Sequence, residues 1–324
     1  RRLFGQHTHH RPPRHGADAD RSGEPGCDAH HHGRNIARRI VSETTKRPCA
    51  YVALGTQRYR VRHVSDPMLS GLSDVAVLGD RIVVLRRQAP ELVILGPNGA
   101  MSGEGTDLPQ FVCGHGLRAT SANQLAATDM DGHKIVLLDE TMHEITRMGC
   151  AERPGLGRPF NHPCDCTQGP DGRYYVADGY GNSAVHIFDP ELRHLKTFGH
   201  PGTEPGAFST PHSLLFDGQG RLCVADRENN RVQLFDGDGT WLGQIEGLYK
   251  PMALALTPDG LLLVSDQTPR LSAYTPSGEL VGRCRTFSTF GHGLAVQRDG
   301  TIIIAEMNPD RVTLLIPVPD VDTF

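Results

Sequence analysis

No run of eighteen apolar residues occurs in the 324-residue chain, so no segment reads as a transmembrane helix and no membrane is expected as a partner. Charge of a single sign is also missing. The formal net charge is −4 with acids and bases interspersed, which leaves no basic face for nucleic acid. Aromatic residues make up only 6%. The eight cysteines, at 27, 49, 113, 150, 164, 166, 223 and 284, follow no spacing that demands a disulfide framework.

Residues 1–50 lack apolar periodicity too. They hold seven of the seventeen histidines and many arginines, and such a composition cannot bury enough surface to offset its ordering entropy. A disordered head is expected over 1–50 and a single domain over 51–324. The His-rich run is read as tail rather than as a metal site.

Glycine (37) and proline (23), by contrast, are plentiful. They punctuate short alternating apolar runs that recur six times from about residue 57. The units open "SDVAVLGDRIVVLRR" (73–87), "GHGLRATSANQLAATD" (114–129), "PCDCTQGPDGRYYVAD" (163–178), "PHSLLFDGQGRLCVAD" (211–226), "PMALALTPDGLLLVSD" (251–266) and "GHGLAVQRDGTIIIAE" (291–306). Strand meanders at a period of 40 to 50 residues predict a six-bladed all-β propeller. The last unit stops after its third strand, "RVTLLIPVP", while "QRYRVRHV" (57–64) precedes the first unit unattached. Pairing the two would complete blade six and remove an open edge.

Fourteen residues before the acid that ends the second strand lies one column. Blades two to six hold His115, Cys164, His212, Met252 and His292 there, and blade one places Asp74 about there. Histidine thus occupies alternate blades, about 120° apart on a six-bladed ring whose first strands line the channel. A lone strand-entry histidine is ordinarily a satisfied core residue. Three in one column on every second blade instead predict a His₃ metal site with an open position, with zinc the first candidate for imidazole ligands.

Residues just after the second strand ring the same mouth, because successive strands are antiparallel. There stand Arg87, Tyr180 in "ADGYGN", and Arg227 with Glu228 in "ADRENN". The pairs Asp178/Asn182 and Asp226/Asn230 read as turn-stabilising.

On "PCDCTQGPDGRYYVADGYGNSAVHIF", "STPHSLLFDGQGRLCVADRENNRVQLF" and the three histidine motifs, the chain resembles the peptidyl-α-hydroxyglycine α-amidating lyases among NHL-repeat propellers. The likeness spans about residues 57 to 316. It implies a catalytic zinc on His115, His212 and His292, with Tyr180 and Arg87 catalytic. Arg227 would lie near the site, and Arg87 or Arg227 would hold a substrate carboxylate. It also implies cleavage of a C–N bond to release an amide and glyoxylate. Tyr180 would be the general base, its pKa depressed beside zinc and Arg87.

Three departures follow. Gly293 stands where the family has an aspartate ligand for a structural calcium, which argues against calcium although Val75 and Leu117 retain carbonyls. Phe290 replaces a methionine in the pocket wall. Gly181 and Leu234 replace cysteines, leaving Cys223 without its implied mate. That loss, with no signal-peptide core in sight, sets the expectation of a cytoplasmic, reducing setting. Strand alternation would aim Cys164 and Cys166 at one face, as buried, inert thiols. The substrate is expected to be a small or peptide-like carboxylate compound, and the protein a monomer. The alternatives are a metal-dependent propeller hydrolase acting on a lactone or ester, and a non-enzymatic NHL interaction platform.

Overall fold

The computed structural model describes residues 50–149 and 153–319, so the expected head falls outside the described residues except for Ala50. The described strands form six antiparallel sheets arranged as the blades of a propeller, with no α-helix among the described residues. Five sheets are four-stranded meanders. The sixth has five strands, in the order Tyr51–Leu54, Gln57–Val64, Arg311–Pro317, Ile302–Met307, Phe290–Val296. Gln57–Val64 pairs with Arg311–Pro317, the last described strand, in a register that sets Arg62 opposite Leu314.

The six first strands are Leu72–Leu78, Gly114–Ala119, Asp165–Gln168, Pro211–Phe216, Pro251–Leu256 and Phe290–Val296. Each packs against the first strand of the next blade, and that of blade six packs against that of blade one. The apolar core is accordingly divided into six wedges, one between each pair of blades. Val83 and Leu85 of blade one, for example, meet Leu117 and Leu125 of blade two. Leu263 and Leu271 of blade five meet Leu294 and Ile304 of blade six. Second strands such as Leu222–Asp226 are buried along their whole length. Outermost strands such as Leu280–Arg285 are largely exposed.

One device recurs at the mouth. The acid ending the second strand accepts backbone N–H groups from the loop that enters the first strand. Asp129 binds Val112 and Cys113, Asp178 binds Asn161, Asp226 binds Ser209, Asp266 binds Tyr249 and Glu306 binds Phe287. These carboxylates are buried, so each clamp pins the loop just ahead of the column at an equivalent height in five blades.

Candidate metal centre

The column residues leave the regular ladder. Pairing skips a position between Pro211 and Ser213, between Pro251 and Ala253, and between Gly291 and Gly293. It breaks likewise between Gly114 and Leu117 and between Leu72 and Asp74. The skipped residues are His212, Met252, His292, His115 with Gly116, and Ser73. A bulge re-aims its side chain, here toward the shared axis. In blade one the column residue is therefore Ser73, and the expectation of Asp74 is off by one. Blade one has a two-residue turn between Leu78 and Arg81 where blade four has five residues between Phe216 and Leu222, and its ladder is one pair longer.

The three histidines are buried at 2%, 2% and 6% exposure, and their ligand atoms lie within 4.8 Å of one another. Ring centroids are 4.8, 4.8 and 5.0 Å apart, edge to face. Imidazoles sharing one tetrahedral ion would stand about 5 Å apart. Each Nδ1 donates to the carbonyl of the column residue in the following blade. His115 bonds Cys164 at 2.7 Å, His212 bonds Met252 at 2.7 Å, and His292 bonds Ser73 at 2.8 Å. A carbonyl can only accept, so all three rings carry the proton on Nδ1 and present an Nε2 lone pair inward. The three blades without histidine thus supply the three tethers. His212 Nε2 is buried with no hydrogen-bond partner. Burial pushes the His115 pKa down to about 3 and those of His212 and His292 well below the usual value, so the rings are neutral, as metal ligands must be. Orientation, protonation and an orphaned nitrogen all fit a bound divalent metal.

Tyr180 meets this cluster from blade three. Its hydroxyl donates to His115 Nε2 at 3.0 Å and accepts from Arg227 at 3.2 Å. The Arg227 guanidinium also lies over the ring, 5.2 Å from its centroid, and is held from the other side by Glu228 at 3.0 Å. Burial of the hydroxyl raises the Tyr180 pKa to about 12 in the protein alone, with Arg227 and Arg87 pulling it down. The expected depression is therefore not supplied by the protein's own arginines.

Arg87 and Arg227 occupy the same blade position, since Arg86 pairs with Leu72 as Asp226 pairs with Pro211. They stand on blades one and four, opposite each other across the mouth. Arg87 Nε is buried and unpartnered, and its charge bears on His115 and His292. Phe290 begins its strand half-buried, opposite Met307 and two residues before His292. The structure thus joins the histidines, Tyr180 and Arg227 by contact. Arg87 is close electrostatically, and no ring stacking between Phe290 and the histidines is present among the described residues.

Two smaller readings change. Asn182 donates to Asp178 at 2.7 Å, as the turn pattern predicts. In blade four the partner of Asp226 is Asn229, whereas Asn230 is left-handed with φ 59° and accepts from Lys250 N–H. Cys164 and Cys166 do not share a face. Cys164 packs with Ala177 and Leu214, and Cys166 with Ala126 and Val176, in different interblade wedges, because the column position sits off the ladder. Both are free, buried thiols with raised pKa values. Cys223 is also free, and its register sets Leu234 directly opposite.

Beneath the histidines lies a small chamber lined by Asp74, Arg118, Asp165 and Ser213 among others. Arg118 and Asp165 carry no repeat-wide motif, and an arginine on an inward first-strand position of "GHGLRAT" is the one sign the sequence offered.

The comparisons agree with the propeller fold. Residues 208–235 match the NHL repeat model. A mouse NHL repeat-containing protein 3 is 32% identical over 207 residues, covering 57% of this chain and 59% of that protein. A probable peptidyl-α-hydroxyglycine α-amidating lyase of Caenorhabditis elegans is 28% identical over 221 residues, covering 62% of this chain and 63% of that protein. The chain therefore spans about three-fifths of the length of both relatives. Among solved structures, a streptogramin B lyase superposes with a TM-score of 0.61 at 13% identity, covering 82% of this chain and 100% of that one, a likeness of fold. The chain is a six-bladed β-propeller with an NHL repeat, related to the peptidyl-α-hydroxyglycine α-amidating lyases.

Proposed function

We propose that the protein is a zinc-dependent carbon–nitrogen lyase that splits a carbinolamide with a carboxylate, R–CO–NH–CH(OH)–COO⁻, into the amide R–CO–NH₂ and glyoxylate or a similar oxo acid. The observation that carries this reading is the convergence of three Nδ1-tethered, neutral imidazoles with a tyrosine hydroxyl 3.0 Å from one of them. His115, His212 and His292 would hold the ion through Nε2. When bound, zinc supplies Lewis acidity to a substrate hydroxyl.

The protein's own groups account for the rest. His115 Nε2 accepts a hydrogen bond from the Tyr180 hydroxyl; committing that lone pair elsewhere releases the hydroxyl to its remaining partner, Arg227, which favours the phenolate. Tyr180 is then placed to take the carbinol proton as general base. The C–N electrons leave on the amide nitrogen, and the abstracted proton balances that leaving group. Arg87 and Arg227 face each other across the mouth, and either fork suits two carboxylate oxygens. Phe290 would form part of the pocket wall.

The test is metal analysis of the purified protein together with an assay on an N-acyl-α-hydroxyglycine. We expect about one zinc per chain and release of glyoxylate. Tyr180→Phe should keep the metal and lower kcat by about 10²- to 10⁴-fold. Lactone opening without glyoxylate would replace the lyase by a hydrolase. Full activity in Tyr180→Phe would remove the base.

A further inference from the structure

The resemblance implies a structural calcium in the propeller shaft, and the shaft of this chain does not fit one. Below the histidines, Arg118 crosses the axis. It lines both the chamber under the histidines and a vestibule of about 250 Å³ that opens beyond it, formed by the far ends of the first strands, Val77, Ala119, Phe216 and Val296 among them. Its guanidinium donates to Asp165 at 3.0 and 3.1 Å, to Ser213 Oγ at 2.7 Å and to the Leu254 carbonyl at 2.8 Å. One side chain of blade two thereby reaches blades three, four and five.

Asp74 completes the shaft from blade one. Its oxygens accept from Val75 N–H and Leu117 N–H, both at 2.8 Å. The missing calcium ligand has a steric cause on the same side. A Cβ built on Gly293 would lie 2.3 Å from Asp74 Oδ1 and 2.6 Å from Asp74 Cα. The space for an aspartate at 293 is filled by Asp74, and the place for a cation beside Asp165 is filled by Arg118.

We propose that Arg118 is the built-in cation of this propeller: its guanidinium replaces a divalent ion in the shaft, so the native protein needs none there, and removing the side chain exposes an oxygen-rich cation site. Asp74, Asp165, Ser213 and the Leu254 carbonyl are hard oxygen ligands of the kind calcium takes, at charge −2 with both carboxylates ionised. With Arg118 present, that site is filled and partly neutralised. The three residues it bonds, Asp165, Ser213 and Leu254, each sit within two positions of a column residue on their own strand, so the same cation ties the strand entry that carries His212 to those that carry the tethers Cys164 and Met252.

Thermal unfolding, with and without calcium, tests this independently of any activity. The wild-type Tm is expected to be the same in excess calcium and in a calcium chelator. Arg118→Ala should lower Tm on the order of 10 °C, because it leaves buried carboxylates without a counter-charge. Millimolar calcium should restore part of that loss, and adding Asp74→Asn should abolish the restoration. Should Arg118→Ala fail to fold, Arg118→Lys keeps the charge, and it should fold with a smaller loss and stay indifferent to calcium. Calcium stabilisation of the wild type or of Arg118→Lys, an unchanged Tm in Arg118→Ala, or a folded Arg118→Ala protein that calcium does not rescue would each overturn the assignment.

Discussion

Ser73, on the first strand of blade one, accepts the Nδ1–H of His292, on the first strand of blade six, through its backbone carbonyl at 2.8 Å. The residues are 219 positions apart in the chain, and the bond is one of three equivalent ones around the axis. Its consequence is that ligand geometry depends on main chain, which no side-chain substitution at the tether removes. The histidines themselves are the sensitive elements.

Zinc should therefore stabilise the wild-type protein against unfolding, by about 2.7 kcal/mol at a free concentration one hundred times its dissociation constant. His115→Ala, His212→Ala and His292→Ala should each weaken zinc binding by more than about 100-fold and flatten that response. Titration against a competing chelator and Tm with added zinc are the measurements. A His212→Ala protein that binds zinc as tightly as the wild type would rule out the shared site.

Acid should unfold the metal-free protein through the same residues. Burial lowers His115 to about 3 and holds His212 and His292 well below the usual value, against an unfolded value near 6.5. Below pH 6.5 the unfolded chain takes up protons that the folded chain refuses, so stability falls as pH falls. The loss is fully absent above the unfolded pKa and accumulates from pH 6.5 down toward 3, at about 1.4 kcal/mol per pH unit for each histidine. Urea midpoints between pH 7 and pH 4 should show this slope. Replacing one of the three by a non-titrating residue should make it shallower, and an unchanged slope would contradict the burial.

The histidine column was legible because the distance from bulge to terminal acid is fourteen residues in blades two to six, and because that acid clamps the entering loop from Asp129 through to Glu306. Blade one broke the pattern. Its terminal position is Arg86 rather than an acid, its turn is three residues shorter and its ladder one pair longer, so a count along the sequence lands on Asp74 instead of Ser73. Cys164 was misplaced for a related reason, since strict alternation does not survive a bulge. Arg118 could not be recognised from composition at all. Its role arises from Asp165, Ser213 and Leu254, brought together from three other blades, and no local spacing encodes that.

Gly293 offers the sharpest contrast between resemblance and structure. Restoring the family's aspartate by Gly293→Asp would, on the family pattern alone, recreate a calcium ligand and stabilise the protein in calcium. The geometry predicts the opposite. The new Cβ would meet Asp74 Oδ1 at 2.3 Å and the Ala305 Cβ at 3.0 Å, and the added carboxylate would enter a buried space that already holds Asp74, whose own pKa burial raises to about 7. The close atoms include the Asp74 backbone, so rotation of one side chain does not relieve them. Overpacking and an unpaired buried acid together should cost several kcal/mol. Chemical denaturation should show that loss with or without calcium. Since Gly293 adjoins His292, zinc affinity should fall in the same variant, and a calcium-stabilised Gly293→Asp protein would mean that the shaft is roomier than Asp74 and Arg118 leave it.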